Sequence, residues 1–381
     1  MRGNITRRGK SSWRLKFDGD PDPVTGKRRI RYVTVKGKRA EAEAELARLL
    51  TDANKGMLPE ASKITLADYL LQWLDGKDLS PRSREQYLDI VERQIIPMLG
   101  RVELQKLKPV EVKVWLAGLR GRDGRRLHPR THHHAYRVLH GALAEAVKLE
   151  LVSRNVACAA TPPKITATEI ESLTGAEIVA VLDTLKGSRI YAVAALAFAT
   201  GMRRGELLAL RWRNVDLAKA MLTVEHSLEQ TKAGLRFKEP KSMHGHRSIS
   251  LPTSAVAMLT RHRKEQLEIR MALGMGKHDD DAVVFCNLDG SPISPNNFSA
   301  TWRVAIRKAG FRVSFHACRH SHASALIAAG LDVVAVSRRL GHSSPVITLR
   351  TYAHKFESTD TRAAEAIEAV LNSPSVPIRC Q

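Results

Sequence analysis

The first sixty residues of the chain alternate apolar and basic side chains in two runs. Residues 12–17 and 29–35 place every second residue on the same side of an extended strand. Turn-forming residues occupy 18–26, and an Ala- and Glu-rich stretch at 39–54 is typical of a helix. The pattern predicts that residues 1–58 form a small sheet of two or three strands that packs on one helix.

We expect the outward face of this sheet to be basic. The residues predicted on that face are Arg14, Lys16, Arg29 and Arg31. A narrow β-ribbon can enter the major groove of DNA, where basic side chains contact phosphates or base edges. The alternative is a solvated basic sheet that binds nothing, and we favour contact with DNA because the rest of the chain is basic too.

Between residues 64 and 158 the apolar residues recur three and four positions apart, which is the spacing of one helix face. The pattern predicts a compact domain of four or five helices. A loop around 120–130 holds five arginines and gives this domain a basic edge. Residues 57–63 and 159–164 are expected to be linkers, the second marked by adjacent prolines. We expect four residues of the domain to contact DNA: Arg82, Arg125, Arg126 and Arg130.

Three consecutive histidines, His132, His133 and His134, lie in this helical region. Neighbouring residues of a helix point about 100° apart, so the three rings cannot converge on one metal ion. We therefore expect no metal here, and partly exposed histidines that face phosphate or solvent.

The remaining residues, 172–381, combine helical stretches with a hairpin-like region at about 213–251. A last helix is expected at 362–371. The whole pattern predicts a mainly α protein with small β elements, in three domains that span 1–58, 64–158 and 172–381.

The charge of the chain points to a polyanionic partner. Its 381 residues include 61 Lys and Arg against 39 Asp and Glu, for a formal net charge of +22. Basic residues outnumber acidic ones in 1–60, 61–160 and 161–381 alike. This spread favours a protein that encloses duplex DNA over one with a single contact patch.

Several classes of protein are excluded by the same composition. No apolar run of 18 residues exists, and Met1 leads into charged residues, so we expect neither a membrane span nor a secretory signal and place the protein in the cytoplasm. The four cysteines are scattered without a CxxC pair. That arrangement predicts reduced thiols, and it argues against a disulfide framework or a zinc finger.

Two segments of the last domain offer cations for chemistry. In residues 200–210 a glycine permits a tight turn from which Arg203 can project into a cleft, although the segment lacks the glycine spacing of a phosphate-binding loop. Residues 237–251 have strand alternation around a glycine-containing turn, and we expect a hairpin there that carries Lys241 to a substrate. Two other lysines compete for that role: Lys232 and Lys238.

Two further segments add histidines, an arginine and a tyrosine. His316 and Arg319 lie three positions apart, so one helix face can present both to a shared anion. Gly341 is a natural residue to end a helix, and the Ser-Pro pair after it is a natural start for the next, which carries Tyr352 about two turns later. His342 is therefore expected at the elbow between two helices.

In this order, the candidate residues resemble the catalytic set of the tyrosine recombinase (phage integrase) family. Three motifs carry the resemblance: Thr-Gly-Met-Arg-Arg-Gly-Glu-Leu, His-x-x-Arg-His-Ser-His-Ala-Ser, and Leu-Gly-His-Ser-Ser-Pro with a tyrosine ten residues after the histidine. The corresponding residues are Arg203, Lys241, His316, Arg319, His342 and Tyr352. The resemblance extends over the whole chain, since integrases of this family often place a small β-rich arm-binding domain and a helical, SAM-like core-binding domain before the catalytic one.

The resemblance implies a site-specific DNA recombinase. Tyr352 would attack a phosphodiester to form a 3′-phosphotyrosyl link, and Lys241 would protonate the leaving 5′ oxygen. Because the ester stores the bond energy, no ATP is required. The roles of these residues leave no task for a metal ion, and the sequence offers no carboxylate cluster to hold Mg²⁺, so no cofactor is expected. Strand exchange would proceed through a Holliday junction.

The other residues of the set would stabilise the transition state. Arg203 and Arg319 would hold the non-bridging oxygens through bidentate hydrogen bonds, with Glu206 orienting Arg203 or a neighbouring helix. His342 would donate one more hydrogen bond to those oxygens. His316 would accept the tyrosine proton or shuttle it.

The resemblance also implies partners. We expect double-stranded DNA at core and arm-type sites, a homotetramer coupled by the tail helix, and accessory directionality or DNA-bending proteins. The source would be a phage or an integrative element. The alternatives are a tyrosine transposase of a conjugative element, and a DNA-binding or type IB-like relaxing protein that never exchanges strands.

Overall fold

The structure is a computed structural model of the chain. It describes residues 3–19, 30–54, 62–121, 123–165, 171–240, 245–277, 279–356 and 360–372. The chain divides into two compact units, which span residues 1–167 and 168–381. As expected from the sequence, both contain helices and small antiparallel sheets.

The first unit begins with a three-stranded antiparallel sheet in the order β1-β2-β3. The strands and the helix that follows them are β1 (Gly3–Gly9), β2 (Ser12–Asp18), β3 (Ile30–Lys36) and α1 (Arg39–Asn54). The apolar side chains of β2, Leu15 and Phe17, are buried against Leu46 and Leu49 of α1. The predicted sheet-on-helix arrangement is confirmed, and β1 is the third strand.

The predicted position of Arg31 on the outward face of this sheet is wrong. Arg31 pairs with Phe17, and Val33 pairs with Leu15. Residues directly opposite in an antiparallel ladder point to the same side, so Arg31 shares the face that packs on α1. Lys16 instead pairs with Tyr32. Arg29, the fourth predicted residue, lies outside the described residues.

The rest of the first unit is helical. Its helices are α2 (Leu66–Asp75), α3 (Pro81–Ile90), α4 (Ile96–Leu99), α5 (Pro109–Gly118) and α6 (Pro129–Lys148). A π-helical turn over Val91–Ile95 joins α3 to α4, and Trp115 of α5 donates a hydrogen bond of 2.6 Å to the Gln94 carbonyl within that turn. Prolines begin α3, α5 and α6, because a proline at the first turn costs no hydrogen bond.

The predicted partial exposure of the three histidines of α6 is confirmed for His133 and His134 and is wrong for His132. His132 is buried, whereas His133 and His134 are half-buried. His132 is buried because it lies on the face of α6 that packs into the domain core, together with Ala135, Val138 and Leu139. Among the described residues, no cluster of three His, Cys, Asp or Glu side chains is arranged to hold a metal ion.

The second unit is mostly helical and contains two small sheets. Its helices are α7 (Gly175–Leu185), α8 (Tyr191–Thr200), α9 (Arg204–Leu208), α10 (Thr253–Ala272), α11 (Pro295–Lys308), α12 (His316–Ala328), α13 (Val333–Leu340), α14 (Pro345–Phe356) and α15 (Asp360–Leu371). Its strands are β4 (Val215–Asp216), β5 (Met221–Val224), β6 (Ser227–Thr231), β7 (Gly234–Lys238) and β8 (Arg247–Ser250).

The segment 237–251 is not the hairpin that the sequence predicted. Strand β7 pairs with β6, whereas β8 pairs with β5 in a separate sheet of order β4-β5-β8. The chain between β7 and β8 therefore connects two sheets. Its residues 241–244, including Lys241, lie outside the described residues. Alternation of apolar and polar residues indicates a strand, but it does not show whether two successive strands pair with each other or belong to different sheets.

Helix α8 lies at the centre of this unit, and six of its residues from Ala192 to Phe198 are buried in the main hydrophobic cluster. A smaller cluster joins α12, α13 and α14 through Ala323, Val336, Leu340 and Tyr352. The predicted tail helix is present as α15, on which Ile367 and Leu371 are exposed. No helix among the described residues is long and apolar enough to cross a membrane.

Candidate active site

Arg203 is held between a short helix and a loop. Helix α8 ends at Gly201, whose φ of +67° turns the chain sharply before α9 begins. The Glu206 carboxylate accepts hydrogen bonds from the Arg203 backbone N–H at 3.0 Å and from its Nη1 at 2.8 Å. Nη2 of Arg203 donates to the Gly341 carbonyl at 3.1 Å. The guanidinium is thus fixed in position while its side chain remains partly exposed.

Glu206 also binds a second arginine. Arg247, the first residue of β8, donates from Nη2 to Glu206 Oε2 at 2.8 Å, and both side chains are buried. Burial opposes ionisation of Glu206, but the hydrogen bond from Arg247 and the charges of Arg247 and Arg203 hold its pKa below the usual value. An ionised Glu206 therefore positions two guanidinium groups from two different elements.

Arg319 lies on the buried face of α12 and is 3% exposed. Its Nη1 donates to the Gly201 carbonyl at 2.8 Å. Its Nη2 is buried and has no hydrogen-bond partner among the described residues. Burial, together with the nearby charge of Arg203, lowers the pKa of Arg319 to about 9, so the group is charged at neutral pH and would be stabilised by an anion. An unpaired guanidinium donor of this kind indicates a binding site for an anion.

His342 lies at the elbow that the sequence predicted. Gly341 ends α13 with a φ of +68°, and His342 follows it directly. Nδ1 of His342 lies 2.7 Å from the Thr348 hydroxyl, which is fully buried on α14. When that hydroxyl donates to Nδ1, the hydrogen of the neutral ring is on Nε2, where it can be donated to a ligand. Burial and the charge of Arg319 lower the pKa of His342 to about 4.

A cavity of about 470 Å³ brings these side chains together. Arg203, His316, Arg319 and His342 all contribute to its wall. Lys238 also lines it, but its Nζ is paired with Glu229 at 2.6 Å. Partial burial of the ring, and then the charges of His320 and Arg319, lower the pKa of His316. The residue as a whole is nevertheless exposed. At neutral pH the cavity therefore presents two permanent cations beside neutral imidazoles.

Tyr352 lies on α14 and is 2% exposed. Among the described residues, it is not one of those that line the cavity. Its Oη lies 2.7 Å from Nδ1 of His320, and burial raises the pKa of the phenol to about 12 although the charge of Arg319 opposes the shift. The sequence predicted the tyrosine and named His316 as the acceptor of its proton, whereas the histidine that contacts the hydroxyl is His320.

This arrangement can bind and polarise a phosphate. Two guanidinium groups and a histidine N–H converge on one cavity, and such donors match the oxygens of a phosphoryl group. A phenol close to that cavity is a potential nucleophile. Three residues with contacts in this site were absent from the prediction: Arg247, His320 and Thr348. A histidine four positions after His316 and a threonine four positions before Tyr352 share helix faces with them, a spacing that could have indicated both.

The arginines predicted to bind DNA in the helical domain lie at its surface. Arg82 forms an exposed pair with Glu85 at 3.2 Å. Arg125, Arg126 and Arg130 are exposed in or next to the loop before α6. On the sheet, Arg14 stacks on Tyr32 with its guanidinium carbon 4.1 Å from the ring centroid, and Lys16 is exposed beside it.

Comparison with known proteins identifies related sequences for most of the chain. The profile of the phage integrase family matches residues 171–359, and that of the phage integrase N-terminal SAM-like domain matches residues 65–120. A tyrosine recombinase XerC-like protein of Caldanaerobacter subterraneus is 33% identical over 244 residues, which cover 61% of this chain and 62% of that protein. An integrase of Streptomyces ambofaciens is 28% identical over 362 residues, which cover 92% of this chain and 91% of that integrase.

The fold is also similar to that of solved structures. The Tn1549 transposon integrase, determined in complex with a circular intermediate DNA, superposes with a TM-score of 0.66 at 20% identity. The match covers 81% of this chain and 99% of that one. The fold of this chain is therefore one that is already known from solved structures.

Proposed function

This chain belongs to the phage integrase family, and we propose that it is a site-specific tyrosine recombinase. It cleaves and rejoins duplex DNA through a 3′-phosphotyrosyl intermediate and a Holliday junction, and it integrates or excises a phage or other mobile element. The observation that carries the proposal is the cavity shared by Arg203, Arg319 and His342 close to the buried phenol of Tyr352.

The arginines stabilise the charge that develops on the phosphate. Attack on phosphorus adds negative charge to the non-bridging oxygens, and Arg203 and Arg319 supply rigid donors for them. The free Nη2 of Arg319 is already buried and pre-oriented, so little reorganisation is needed when the phosphate arrives. Nε2 of His342, held by the contact between Nδ1 and Thr348, donates to the same oxygens.

Other residues form the new bond to phosphorus and protonate the leaving group. Tyr352 forms the new P–O bond, and its phenolic proton passes to a histidine as the P–O5′ bond breaks. We assign protonation of the 5′ oxygen to Lys241, on the sequence motif that includes it. Because Tyr352 does not line the cavity, the phenol and the phosphate must approach one another when DNA binds.

The rest of the chain positions the duplex. We propose that the sheet and helix of residues 1–58 contact arm-type sites, that residues 64–158 bind the core site, and that residues 172–381 catalyse the reaction. The basic residues clamp DNA mainly through phosphates, which gives affinity and a strong salt dependence. Since its substrate is DNA, the protein acts where the bacterial chromosome lies, in the cytoplasm.

We further propose that four copies assemble on DNA, with half of the sites active at a time. Helix α15 exposes Ile367 and Leu371, two apolar residues that a neighbouring protomer can cover. Deletion of residues 358–381 is expected to abolish cooperative assembly on DNA while single-site binding persists. Native gels over a range of protein concentrations measure both, and unchanged cooperativity would contradict this role for the tail. Accessory proteins that bend DNA or set direction complete the proposed assembly.

Covalent trapping tests the chemistry directly. The protein is incubated with a nicked suicide duplex that carries the cognate site, and the products are separated on a denaturing gel. We expect a covalent protein–DNA adduct that disappears in Tyr352→Phe. Arg203→Lys should form almost none, because a point charge does not replace a bidentate guanidinium. Absence of an adduct in the wild-type protein would refute the proposal, provided that binding to the same duplex is observed.

A further inference from the structure

His320 contacts the hydroxyl of Tyr352 and, among the described residues, is not one of those that line the cavity. It lies on α12, one residue after Arg319 and four after His316. Its Nδ1 is 2.7 Å from Tyr352 Oη, which is the usual distance of a hydrogen bond between a phenol and an imidazole. The two residues are 32 positions apart in the chain, so the packing of α12 against α14 brings them together.

We propose that His320 is a catalytic residue whose Nδ1 accepts the proton of Tyr352 during cleavage and returns it during rejoining. This inference rests on the proposed recombinase function and assigns one of its steps to a specific atom. As the Oη–P bond forms, the O–H bond breaks and its proton moves to Nδ1, while the P–O5′ bond breaks and the 5′ oxygen is protonated separately. In the reverse reaction the imidazolium of His320 returns the proton to the departing phenolate, so atoms and charges balance.

The geometry favours His320 over His316 for this step. The ring of His316 lines the cavity and packs edge-on against the ring of His320, with centroids 4.6 Å apart. His320 in turn packs against the ring of Tyr352, with centroids 5.8 Å apart. His316 therefore lies between the cavity and His320, where it can bind the phosphate, and His320 lies next to the nucleophile.

The electrostatic surroundings keep His320 available as a proton acceptor. Burial, and then the charge of Arg319, lower its pKa, so the ring is neutral at pH 7. The described titratable groups that face it are Arg319 and His316 on its own helix and Tyr352 on α14. A phenol becomes far more acidic as its oxygen bonds to phosphorus, so a weakly basic imidazole can accept the proton within that step.

The test compares two variants in single-turnover cleavage of the suicide duplex. His320→Ala removes the ring, whereas His320→Asn keeps a polar atom close to the position of Nδ1 but cannot accept a proton at neutral pH. We expect both to cleave about 10²- to 10⁴-fold more slowly than the wild type, the range for loss of a general base. Added imidazoles should restore cleavage by His320→Ala, and the restored rate should increase with their basicity.

A substrate with sulfur in place of the bridging 5′ oxygen separates the two proton transfers. Sulfur leaves without protonation, so this substrate should rescue a Lys241→Ala variant but leave His320→Asn slow. Three results would overturn the inference: wild-type cleavage by His320→Asn, faster cleavage by His320→Ala, or rescue that is independent of imidazole basicity. Any of these, with a Tyr352-dependent adduct still formed, refutes the role of His320 only. Loss of the adduct in the wild type refutes the recombinase function itself.

Discussion

Glu206 and Arg247 form a buried ion pair of 2.8 Å, and the same carboxylate holds Arg203 at the edge of the cavity. We predict that Glu206→Gln lowers the free energy of unfolding by about 3–5 kcal/mol, because it leaves the Arg247 guanidinium buried without its counter-charge. The variant should also cleave DNA slowly, since Arg203 loses its orienting partner. Urea unfolding and single-turnover cleavage measure the two effects.

A matched control for that variant is Glu265→Gln. The Glu265 carboxylate pairs with Arg261 at 3.8 Å, and both side chains are more than half exposed. Such a pair contributes at most about 1 kcal/mol, so the control should remain close to the wild type in both measurements. Equal destabilisation by the two substitutions would show that burial of the Glu206 pair has no special effect.

Gly201 fixes Arg319, and a side chain at this position is predicted to disrupt the site. With its φ of +67°, a Cβ on residue 201 would lie 2.6 Å from Cδ2 of His322 and 2.8 Å from Cδ2 of Leu340. Gly201→Ala should therefore cost about 2–4 kcal/mol of stability through strain and overlap, and it should slow cleavage by displacing the carbonyl that binds Arg319.

Gly187→Ala provides the comparison for Gly201→Ala. Gly187 has a similar φ of +75°, but a Cβ there meets nothing within 4 Å. The Gly187→Ala variant should lose only about 1 kcal/mol of stability, which is the cost of placing alanine in a left-handed backbone conformation. It should retain full cleavage activity. Thermal unfolding and covalent trapping of both variants separate backbone strain from displacement of Arg319, and a cleavage defect in Gly187→Ala would contradict this explanation.

Thr348 is predicted to orient His342. Thr348→Val removes the buried hydroxyl that contacts Nδ1 at 2.7 Å but retains the volume of the side chain. Loss of one such hydrogen bond amounts to about 1–1.5 kcal/mol, so cleavage should fall roughly tenfold while DNA binding is unchanged. Thr348→Ser keeps the hydroxyl and should retain most of the activity. If the valine variant cleaved DNA at the wild-type rate, the hydroxyl of Thr348 would have no part in orienting His342.

Stability is predicted to fall as the pH decreases from about 6.5 to 4. The buried ring of His322 forms hydrogen bonds through Nδ1 with the Phe198 carbonyl and through Nε2 with Arg339. Burial lowers the pKa of His322 to about 4. In this window the unfolded chain binds a proton that the folded chain does not, so each unit of pH costs the folded state up to about 1.4 kcal/mol. The depressed pKa of His342 adds a contribution of the same sign.

Urea unfolding between pH 7.5 and pH 5, without DNA, measures this dependence. His322→Gln is expected to be less stable at pH 7.5, because it disturbs the Arg339 contact, but its stability should vary less with pH. A wild-type stability that stays constant over this range would contradict the predicted protonation states.

The two faces of the N-terminal sheet are predicted to contribute unequally to DNA binding. Arg14→Ala or Lys16→Ala should weaken binding and reduce the slope of log K against log salt by about 1, as for the loss of one phosphate contact. Arg31→Ala should have a smaller effect, because Arg31 shares the face of Phe17. Arg39→Ala, on α1 and paired with Glu43, is the control. Fluorescence anisotropy on a duplex with arm-type and core sites measures all four, and an Arg31→Ala effect as large as that of Arg14→Ala would reverse the assignment.

Local patterns in the chain were enough to predict most of the helices and strands and the identity of the reactive side chains. Gly341 ends one helix and Pro345 begins the next, because a left-handed glycine and a proline in the first turn act within a few residues of chain. The same local rules placed His316 and Arg319 on one helix and Tyr352 on another. A motif in a fixed order was then enough to identify the family.

Which of these groups come into contact depends on how elements that are distant in the chain pack together. The pairs Glu206–Arg247 and His320–Tyr352 join residues 41 and 32 positions apart, and no periodicity in the chain specifies such distances. Ladder register placed Arg31 beside Phe17, against the apolar and basic alternation that had suggested the opposite face. Local patterns report the conformation of a few neighbouring residues, whereas these contacts depend on how whole helices and strands pack to bury apolar surface.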